Sequence, residues 1–504
     1  MDTTLNRNYQ SNQKNHRKQQ HITTLIERYT ERTAASKQYA QTYRPVMADK
    51  SALGLGFSPE LKELCYPIVA QRYAGSRLWD IDGNEYVDIL MGLGINLLGH
   101  NPACVSEALH HQLQQGMSIS PQAELAGEVA QLITELTGVE RVAFSNTGTE
   151  AIMTAIRIAR AATGRDKIAL FTNSYHGHSD QTLVRATLME YAKKAVNRRL
   201  DRLNWLQALL RPFQSPLRSV DPKAVPAAIG IPAAIADQVL VLEYANPASL
   251  QVIQAHQHQL AAVLVEPVQS RCPQLQPQEF LQQLRQLTHR CGIALIFDEM
   301  VTGFRIHPGG AQAWFNVQAD IVTYSKIVGG GLPMSVIAGK AAYLDYIDGG
   351  VWAYGDASVP KTKTTFFAGT FCKHPLSLAA AKATLLHLKT AGAALQTQLN
   401  QRTTDLVHRL NAEMQSSQIP IQFTQFGSFF AIDLSASAVP ELAIALLSYH
   451  LLWRGVHLRP GDRGGFSPQP TAMPISPSSN RHFEIASTNC NKPDFSHDLE
   501  NVQT

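Results

Sequence analysis

The sequence predicts an α/β protein in which helices flank a mostly parallel central sheet. From about residue 122, apolar strands rich in β-branched residues alternate with helical stretches; IALIFDEM at 293–300 follows a helix expected at 279–289. Such strands are typical of a parallel sheet that helices cover on both faces. With 504 residues, 44% of them hydrophobic, the chain can bury the core of one large or two ordinary domains.

Composition and charge exclude several classes of protein. Lys and Arg number 44 against 40 Asp and Glu, an excess too small for a dedicated nucleic-acid coat. Apolar runs such as 293–297 are far shorter than the roughly 20 residues that a membrane-spanning helix needs. The cysteines form neither a CxxC pair nor a cluster with histidine, so no zinc site or disulfide framework is indicated. We expect a cytoplasmic protein with no metal, nucleic-acid partner or membrane.

Both ends of the chain have a polar composition. Asn, Gln, Lys and Arg dominate the first 20 residues, where we expect a disordered tail. From Ile22 to about Tyr43 apolar residues recur at helical spacing, which predicts a short amphipathic helix that packs on the body. After Phe466 the chain is rich in Pro, Ser and Asn, and we expect disorder over 466–504.

The elements before the main α/β region, and one interruption of it, can be placed from local signals. The Asp-Gly-Asn turn at 82–84, between two apolar stretches, predicts a β-hairpin. A helix is expected over 123–136. The stretch 191–235 is strongly basic at first and then rich in Pro and Ala, and we interpret it as an insertion over one end of the sheet.

The C-terminal third predicts a smaller α+β unit. A long helical segment is expected over 379–410, and a strand at 429–434 is followed by a helix at 441–453. We therefore expect the following division of the chain: a polar tail and short helix (1–50), the N-terminal part of a small domain (51–120), a large domain (121–378), an incomplete C-terminal part of the small domain (379–465), and a disordered tail (466–504).

Ligands of open parallel sheets bind at the carboxyl ends of the strands, so polar residues there are candidates for a site. In VAFSNTGTEA a strand passes through Ser145 to Thr149 into a helix that begins near Glu150. Small residues and free backbone N–H groups at a helix N-terminus suit a phosphate. Ordinary helix capping has the same pattern, so this signal alone leaves both interpretations open.

Three more strand ends carry chemically useful side chains. IALIFDEM ends in Asp298 and Glu299, and a buried carboxylate there must be paired, either with a protonated heterocyclic nitrogen or by capping the next turn. DIVTYSK ends in Lys326, whose desolvation would lower the pKa of the amine and make it a nucleophile for Schiff-base formation. NSYHGHSD offers Tyr175, whose ring could lie over a planar cofactor, and His176. Together with the phosphate signal, these residues predict a pyridoxal phosphate site.

The motifs resemble those of a known family. SNTGTEA, SYHGH, VEPVQ, IFDEMVTGFR, SKIVGGGLP and AGTF, between about Gly75 and Arg459, occur in the order seen in class III aminotransferases, a group that includes glutamate-1-semialdehyde 2,1-aminomutase. The resemblance implies a fold-type I pyridoxal-phosphate-dependent transferase with a large cofactor-binding domain and a small domain built from both chain ends. RLWDIDGNEYVDI and AGTFCKHP further resemble the aminotransferase modules of hybrid polyketide/nonribosomal peptide synthetases.

The resemblance also implies roles for individual residues. Lys326 would form the Schiff base with pyridoxal 5'-phosphate, and Asp298 would pair with the pyridinium nitrogen. Gly148 and Thr149 would bind the phosphate, and Tyr175 would stack on one face of the ring.

Further cofactor contacts follow from the same motifs. His176 belongs to this cofactor-binding set, and Val268 would pack against the second face of the ring. Gln269 or Glu266 would lie near the phenolic oxygen. Thr370 of AGTF would reach the phosphate of the neighbouring subunit, which implies a homodimer with shared active sites.

The implied activity is transfer of an amino group from an amino-acid donor to a keto or aldehyde acceptor by a ping-pong Schiff-base mechanism, with no metal. One acceptor would be a carrier-bound β-keto acyl chain of peptide/polyketide biosynthesis, because basic residues around Arg198 and Arg199 could contact an acidic acyl carrier protein. The alternative is glutamate-1-semialdehyde 2,1-aminomutase of tetrapyrrole biosynthesis. A third hypothesis is a degenerate, non-catalytic paralogue, since the sequence after Val456 and His457 lacks the further strand and amphipathic helix expected for the family.

Overall fold

A computed structural model describes residues 2–50, 57–186, 224–433, 435–437, 441–459, 462 and 464–469 of the chain. The strands are β1 (Ala70–Ala74), β2 (Arg77–Asp80), β3 (Glu85–Asp88), β4 (Arg141–Ser145), β5 (Lys167–Phe171), β6 (Val184–Ala186), β7 (Ala224–Pro226), β8 (Val239–Leu242), β9 (Leu260–Val265), β10 (Ala294–Asp298), β11 (Ile321–Tyr324), β12 (Ser335–Gly339), β13 (Phe423–Phe426), β14 (Phe429–Ile432), β15 (Val456–His457) and β16 (Gly464–Phe466).

The helices alternate with these strands. They are α1 (Asp2–Arg32), α2 (Ala34–Tyr43), α3 (Met91–Gly94), α4 (Ala103–Gln115), α5 (Leu125–Thr137), α6 (Gly148–Thr163), α7 (Ala233–Ala236), α8 (Pro247–Ala255), α9 (Gln278–Cys291), α10 (Gly310–Phe315), α11 (Ala341–Asp348), α12 (Pro375–Ala391), α13 (Ala393–Ser416) and α14 (Glu441–Trp453). Short 3₁₀ helices occur at Pro59–Leu64 and Lys326–Gly329.

The chain forms two compact units, Met1–Ser106 with Leu395–Thr504, and Glu107–Ala394. The second, which we call the large unit, contains a seven-stranded sheet of order β4-β12-β11-β10-β9-β5-β8. Strands β11, β10, β9, β5 and β8 are mutually parallel, whereas β12 is antiparallel to both of its neighbours. The predicted α/β fold with a mostly parallel sheet is therefore confirmed.

Burial explains why the central strands are continuous runs of mostly apolar residues in the sequence. Every residue of β9, β10, β11 and β12 is buried, because a parallel sheet covered on both faces has no solvent side. Helix α6 packs across β9 to β12 through Ile152, Ile156 and Ala159, which are at most 1% exposed. This covered sheet holds the strand ends that carry the candidate site.

The other unit, which we call the small unit, has two sheets of order β1-β2-β3-β15 and β13-β14-β16. Strands β2 and β3 form the predicted hairpin, and Gly83 in its turn has a φ of +82°. Strand β15 pairs in parallel with β3, so chain segments from both ends contribute to one sheet. The predicted strand at 429–434 and helix at 441–453 are present as β14 and α14.

The N-terminal segment differs from the prediction of a disordered tail. Helix α1 starts at Asp2 and continues to Arg32, and α2 follows after one residue. Ile22, Leu25 and Tyr29 of α1 are at most 2% exposed and pack in one core with residues of α14. The predicted amphipathic helix is therefore present, but it begins some twenty residues earlier than expected. The polar composition of these residues did not indicate a helix.

The C-terminal segment also differs from the prediction. A further strand, β16, follows β15 and pairs antiparallel with β14, although the sequence predicts none there, because the glycines 464 and 465 are poor strand formers on propensity alone. The expected disorder over 466–504 lies outside the described residues from 470 onward, and most of the basic insertion at 191–235 also lies outside them. The domain boundaries predicted from the sequence stay predictions.

Three further helix predictions agree well with the structure. The helix expected at 123–136 is α5, and the one at 279–289 is α9. The segment 379–410 is helical but is divided by Gly392, whose φ is +60°. Among the helices that the structure describes, none is both long and apolar enough to cross a membrane.

Candidate active site

A buried aspartate ends strand β10. Asp298 is 4% exposed, and its Oδ1 accepts the backbone N–H of Met300 at 3.1 Å. Its Oδ2 lies 2.8 Å from Nδ1 of His176, a residue 122 positions earlier that is 2% exposed. Among the described residues, Nε2 of this histidine has no hydrogen-bond partner. The fold thus brings together two residues that the sequence places in separate motifs.

Lys326 follows strand β11, which is the neighbour of β10 in the sheet. Burial lowers the pKa of Lys326 to about 8, although the negative charges of Asp298 and Glu266 act in the opposite direction. Its φ of +53° is unusual for a residue with a Cβ, and such backbone strain is found mainly at functional sites. The lysine therefore lies in the same charged cluster as Asp298, with its amine desolvated as the sequence predicts.

The N-terminus of α6 is capped and also has N–H groups suited to a phosphate, which are the two interpretations that the sequence left open. Thr147 and Glu150 form a capping box, in which the Thr147 hydroxyl accepts the N–H of Glu150 at 3.2 Å. The Glu150 carboxylate in turn accepts the N–H groups of Asn146 and Thr147. This capping does not use the N–H groups of Gly148 and Thr149, so the two residues predicted to bind phosphate remain suited to it.

Two close approaches place this helix end beside the other strand ends. A Cβ on Gly177, whose φ is +80°, would lie 2.5 Å from Oγ1 of Thr149. The same Oγ1 accepts the backbone N–H of His178 at 3.3 Å. A Cβ on Gly148 would lie 2.9 Å from the sulfur of Met300, two residues after Asp298. At Gly177 both the positive φ and the approach of Thr149 require glycine, whereas at Gly148 a Cβ would displace the flexible Met300 side chain.

Glu266 follows strand β9 and ties two loops of the site together. Its carboxylate accepts the backbone N–H of Tyr175 at 3.0 Å and the hydroxyl of Ser270 at 3.3 Å. Burial and the nearby carboxylate of Asp298 raise the pKa of Glu266, whereas the charge of His176 acts in the opposite direction. Tyr175 itself is 51% exposed, so its side chain is accessible to a ligand.

The remaining predicted cofactor residues lie in the same unit. Val268 is 1% exposed, and the side-chain amide of Gln269 donates to the carbonyl of Thr172 at 2.8 Å. Thr370 is exposed in the loop between α11 and α12. In that loop the sulfur of Cys372 lies 3.9 Å from Nδ2 of Asn146, so AGTF is beside the predicted phosphate loop of the same chain. Whether Thr370 reaches a neighbouring subunit stays a prediction.

Two buried charged residues of the IFDEMVTGFR motif, Glu299 and Arg305, were not among the predicted cofactor contacts. Glu299 accepts the N–H groups of Ala311 at 2.6 Å and Gln312 at 3.0 Å, and burial raises its pKa to about 7. Arg305 is 1% exposed, and burial lowers its pKa to about 9. Charge within an apolar motif was the available signal, but only the fold shows that Glu299 anchors the start of α10.

The donor set fits pyridoxal phosphate. A desolvated lysine amine, a strand-end carboxylate and free N–H groups at the start of α6 match the aldehyde, the ring nitrogen and the phosphate of this cofactor. The unpartnered buried nitrogen of His176 is a further sign of a ligand site, since finished buried networks rarely leave such an atom unsatisfied.

Comparisons with known proteins agree with this geometry. The family model described as aminotransferase class-III matches residues 60–461. A glutamate-1-semialdehyde 2,1-aminomutase of Ruminiclostridium cellulolyticum is 32% identical over 410 residues, which are 79% of this chain and 84% of the relative. An omega-transaminase from Sphaerobacter thermophilus matches with a TM-score of 0.73 and 26% identity, over 93% of this chain and 98% of the other. A glutamate-1-semialdehyde aminomutase from Pseudomonas aeruginosa PAO1, at 22% identity and a TM-score of 0.75 over 96% and 98% of the two chains, shares the fold.

Proposed function

The chain belongs to the class III aminotransferases, enzymes that depend on pyridoxal 5'-phosphate, and we propose that it moves an amino group from an amino-acid donor to a keto or aldehyde acceptor in two half-reactions. One observation carries the proposal: half-buried Lys326 follows β11 beside the strand that Asp298 ends, and desolvation lowers the pKa of its amine to about 8. An amine whose pKa is this close to neutrality can act both as a nucleophile and as a general base.

Each polar part of the cofactor has a partner among the described residues. The N–H groups of Gly148 and Thr149 would bind the phosphate at the start of α6. The carboxylate of Asp298 would hold the proton on the ring nitrogen. Tyr175 and Val268 would contact the two faces of the ring. Glu266 or Gln269, in the loop after β9, would lie near the phenolic oxygen.

When bound, pyridoxal phosphate supplies an electron sink for the negative charge that develops on the α carbon of the donor. His176 donates its Nδ1 hydrogen to Asp298 and so orients the carboxylate. Nζ of Lys326 would move the proton from the α carbon of the donor to the C4′ carbon of the cofactor within the first half-reaction, and would move a proton in the opposite direction in the second. Because its neutral fraction rises as the pH passes about 8, the rate of proton removal by the free amine should increase over that range.

We further propose that the enzyme works as a homodimer. Val351, Tyr354 and Phe366 are 82%, 91% and 76% exposed in the loop between α11 and α12, and exposed apolar side chains of this kind are typical of protein interfaces. Thr370 lies in the same loop, which supports the expectation that it contributes to the site of a second subunit. Sedimentation equilibrium should give the mass of a dimer, and a monomer would refute this part of the proposal.

The identity of the acceptor is a finer proposal. Relatives named glutamate-1-semialdehyde 2,1-aminomutase support a semialdehyde substrate. The carrier-bound β-keto acyl acceptor and the similarity to synthetase modules stay predictions, and the basic residues Arg198 and Arg199 lie outside the described residues. A degenerate paralogue is disfavoured, since Lys326 and Asp298 lie together in the site. The cytoplasmic location also stays a prediction.

The half-reaction with an amino donor tests the proposed function. Holoenzyme mixed with an excess of L-glutamate or L-alanine should convert bound pyridoxal phosphate to pyridoxamine phosphate and release one oxo acid per site. Lys326→Ala should slow this conversion by about 100- to 10,000-fold, the usual contribution of a general acid–base group. Lys389→Ala removes a surface lysine paired with Glu135 and should leave the rate unchanged. Cofactor-loaded enzyme that releases no oxo acid, or equal rates for wild type and Lys326→Ala, would refute the proposal.

A further inference from the structure

We infer that the small unit binds a doubly charged oxyanion, of the sulfate or phosphate class, between helices α1 and α14, and that the anion strengthens the attachment of α1. The inference is independent of the proposed transamination, since none of its residues belongs to the candidate active site. Three features support it: a contact between two histidines, two arginines beside one tryptophan, and a small cavity among them.

His21 of α1 and His450 in the last turn of α14 are in direct contact. Their Nε2 atoms lie 3.1 Å apart, and the centres of their rings lie 5.1 Å apart. One imidazole donates in this contact and the other accepts, so the pair needs a hydrogen atom on only one of the two Nε2 atoms. A second hydrogen would leave two donors facing each other, an arrangement that an anion able to accept both would stabilise.

Two arginines add positive charge at the same place. The guanidinium carbons of Arg28 and Arg454 lie 5.1 Å and 4.7 Å from the centre of the Trp453 ring, within the range of a cation–π contact. An indole ring attracts a cation but does not neutralise its charge. Arg28 is exposed and forms no ion pair with any described residue, so its charge is available to a ligand.

A cavity of about 20 Å³ lies among these side chains, and it is lined by His21, Thr24, Leu25, Arg28, His450 and Trp453. None of these described lining residues is acidic. The volume is more than the roughly 10 to 15 Å³ that one water molecule requires, so an oxygen atom of an anion can enter while the rest of the anion contacts exposed Arg28. Imidazole, hydroxyl and guanidinium donors suit an oxyanion, and the guanidinium fork can bind two of its oxygens.

The charge balance at His450 also favours an anion. Burial lowers the pKa of His450 to about 3. Positive charge acts in the same direction, and it comes from His21, Arg454 and Arg28. No carboxylate of a described residue opposes these groups. A bound anion would supply the missing negative charge and favour uptake of a proton by the histidine pair, so the affinity for the anion should increase as the pH falls.

Calorimetric titration of the holoenzyme with sulfate tests the inference. Sulfate stays doubly charged at neutral and mildly acidic pH, and in the holoenzyme the cofactor occupies the predicted phosphate site. The affinity should rise by up to about tenfold per pH unit of acidification, the limit for uptake of one proton with the anion. Arg28→Ala should weaken sulfate binding by about 10- to 100-fold, the usual loss of a hydrogen bond to a charged group.

Matched variants separate this site from the general charge of the helix. Arg17→Ala removes an exposed arginine of α1 that lies about 16 Å from Arg28 along the helix axis, and it should leave the sulfate affinity unchanged. The double variant His21→Gln/His450→Gln keeps hydrogen-bonding side chains but has no ring to protonate, so its residual affinity should not depend on pH. Equal losses in Arg17→Ala and Arg28→Ala, or a wild-type affinity that is the same at every pH, would overturn the inference.

Hydrogen exchange measures the effect of the anion on α1. At a sulfate concentration ten times the wild-type dissociation constant, the amides of 22–32 should exchange about tenfold more slowly, because the anion must leave before α1 separates from α14. Amides of α6 in the large unit should not change. Equal protection of α1 and α6, or of α1 in wild type and Arg28→Ala, would indicate only the general stabilising effect of sulfate on folded proteins and would overturn the inference.

Discussion

Two buried aspartate–histidine arrangements, one in each unit, differ in how completely their polar atoms are paired. In the small unit, Asp88 accepts hydrogen bonds from Nε2 of His100 at 2.8 Å and Nδ1 of His457 at 2.9 Å. It also accepts the backbone N–H groups of Leu90 and Met91. Burial disfavours the charge of Asp88, but these hydrogen bonds hold the pKa of its carboxyl well below the usual range.

The arrangement in the large unit is incomplete by comparison. Asp298 has one histidine and one backbone N–H as partners, and Nε2 of His176 is buried without a partner among the described residues. Asp298 acts electrostatically on the neighbouring Lys326, whose amine is desolvated. The same residue types thus have two different roles. A fully hydrogen-bonded Asp–His arrangement stabilises the fold, whereas an incompletely hydrogen-bonded one can bind a ligand.

The largest expected effect is the loss of activity in Asp298→Asn. The amide has nearly the shape of the carboxylate but carries no charge to hold a proton on the cofactor ring. Loss of one partner from a buried charged pair should remove about 2 to 5 kcal/mol of transition-state stabilisation. The half-reaction rate measures this loss, and thermal unfolding of the apoprotein should change little. A variant that retains the wild-type rate would show that Asp298 does not act on the cofactor.

The reverse pattern is expected for Asp88→Asn. Removal of a charged acceptor that two histidines share should lower the free energy of unfolding by about 1.5 to 3 kcal/mol, with the half-reaction rate unchanged once the protein is folded. Urea denaturation measures the first quantity. Loss of activity without loss of stability would remove the distinction between the two arrangements.

The pH dependence sharpens the same comparison. Because the folded pKa of Asp88 is lowered, its contribution to stability is fully present above its unfolded pKa of about 3.9. That contribution decreases as the pH falls below this value toward the folded pKa. The difference in stability between wild type and Asp88→Asn should therefore shrink as the pH falls below about 4. A difference that persists in acid would contradict the assigned hydrogen bonds.

The smallest expected effect is on cofactor affinity, and it distinguishes two glycines, one in each unit. Gly177 and Gly83 have φ values of +80° and +82°, but a Cβ would meet Thr149 only at Gly177, since nothing lies within 4 Å at Gly83. Alanine at either position should cost about 1 to 2 kcal/mol of stability through backbone strain. Only Gly177→Ala should also weaken pyridoxal phosphate binding, by about tenfold or 1.4 kcal/mol, as measured by cofactor titration. Equal cofactor affinities in the two variants would contradict the placement of Thr149.

The strand-end residues could be predicted because their signal is local. Asp298 and Lys326 each end a run of apolar residues, so the sequence alone indicates that both lie at the same edge of the sheet. The pairing of His176 with Asp298 could not be predicted from spacing, since it joins residues 122 positions apart.

The N-terminal helix, in contrast, could not be predicted in full from its local sequence. Its polar composition predicts disorder, yet α1 runs from Asp2 to Arg32, and Ile22, Leu25 and Tyr29 in its C-terminal part pack with Tyr449 and other apolar residues far along the chain. A stripe of three apolar residues is too weak a local signal to extend a helix by itself. Long-range packing supplies the stabilisation, and the sequence does not show which distant residues provide it.

The most direct test of the central claim is to identify the lysine that binds the cofactor. Borohydride reduction of the holoenzyme, followed by proteolysis and mass spectrometry, should find the pyridoxyl addition on the peptide that contains Lys326 and on no other peptide. Lys326→Ala should carry no addition after the same treatment. An addition on a different lysine, or undiminished labelling of Lys326→Ala, would contradict the assignment of this site.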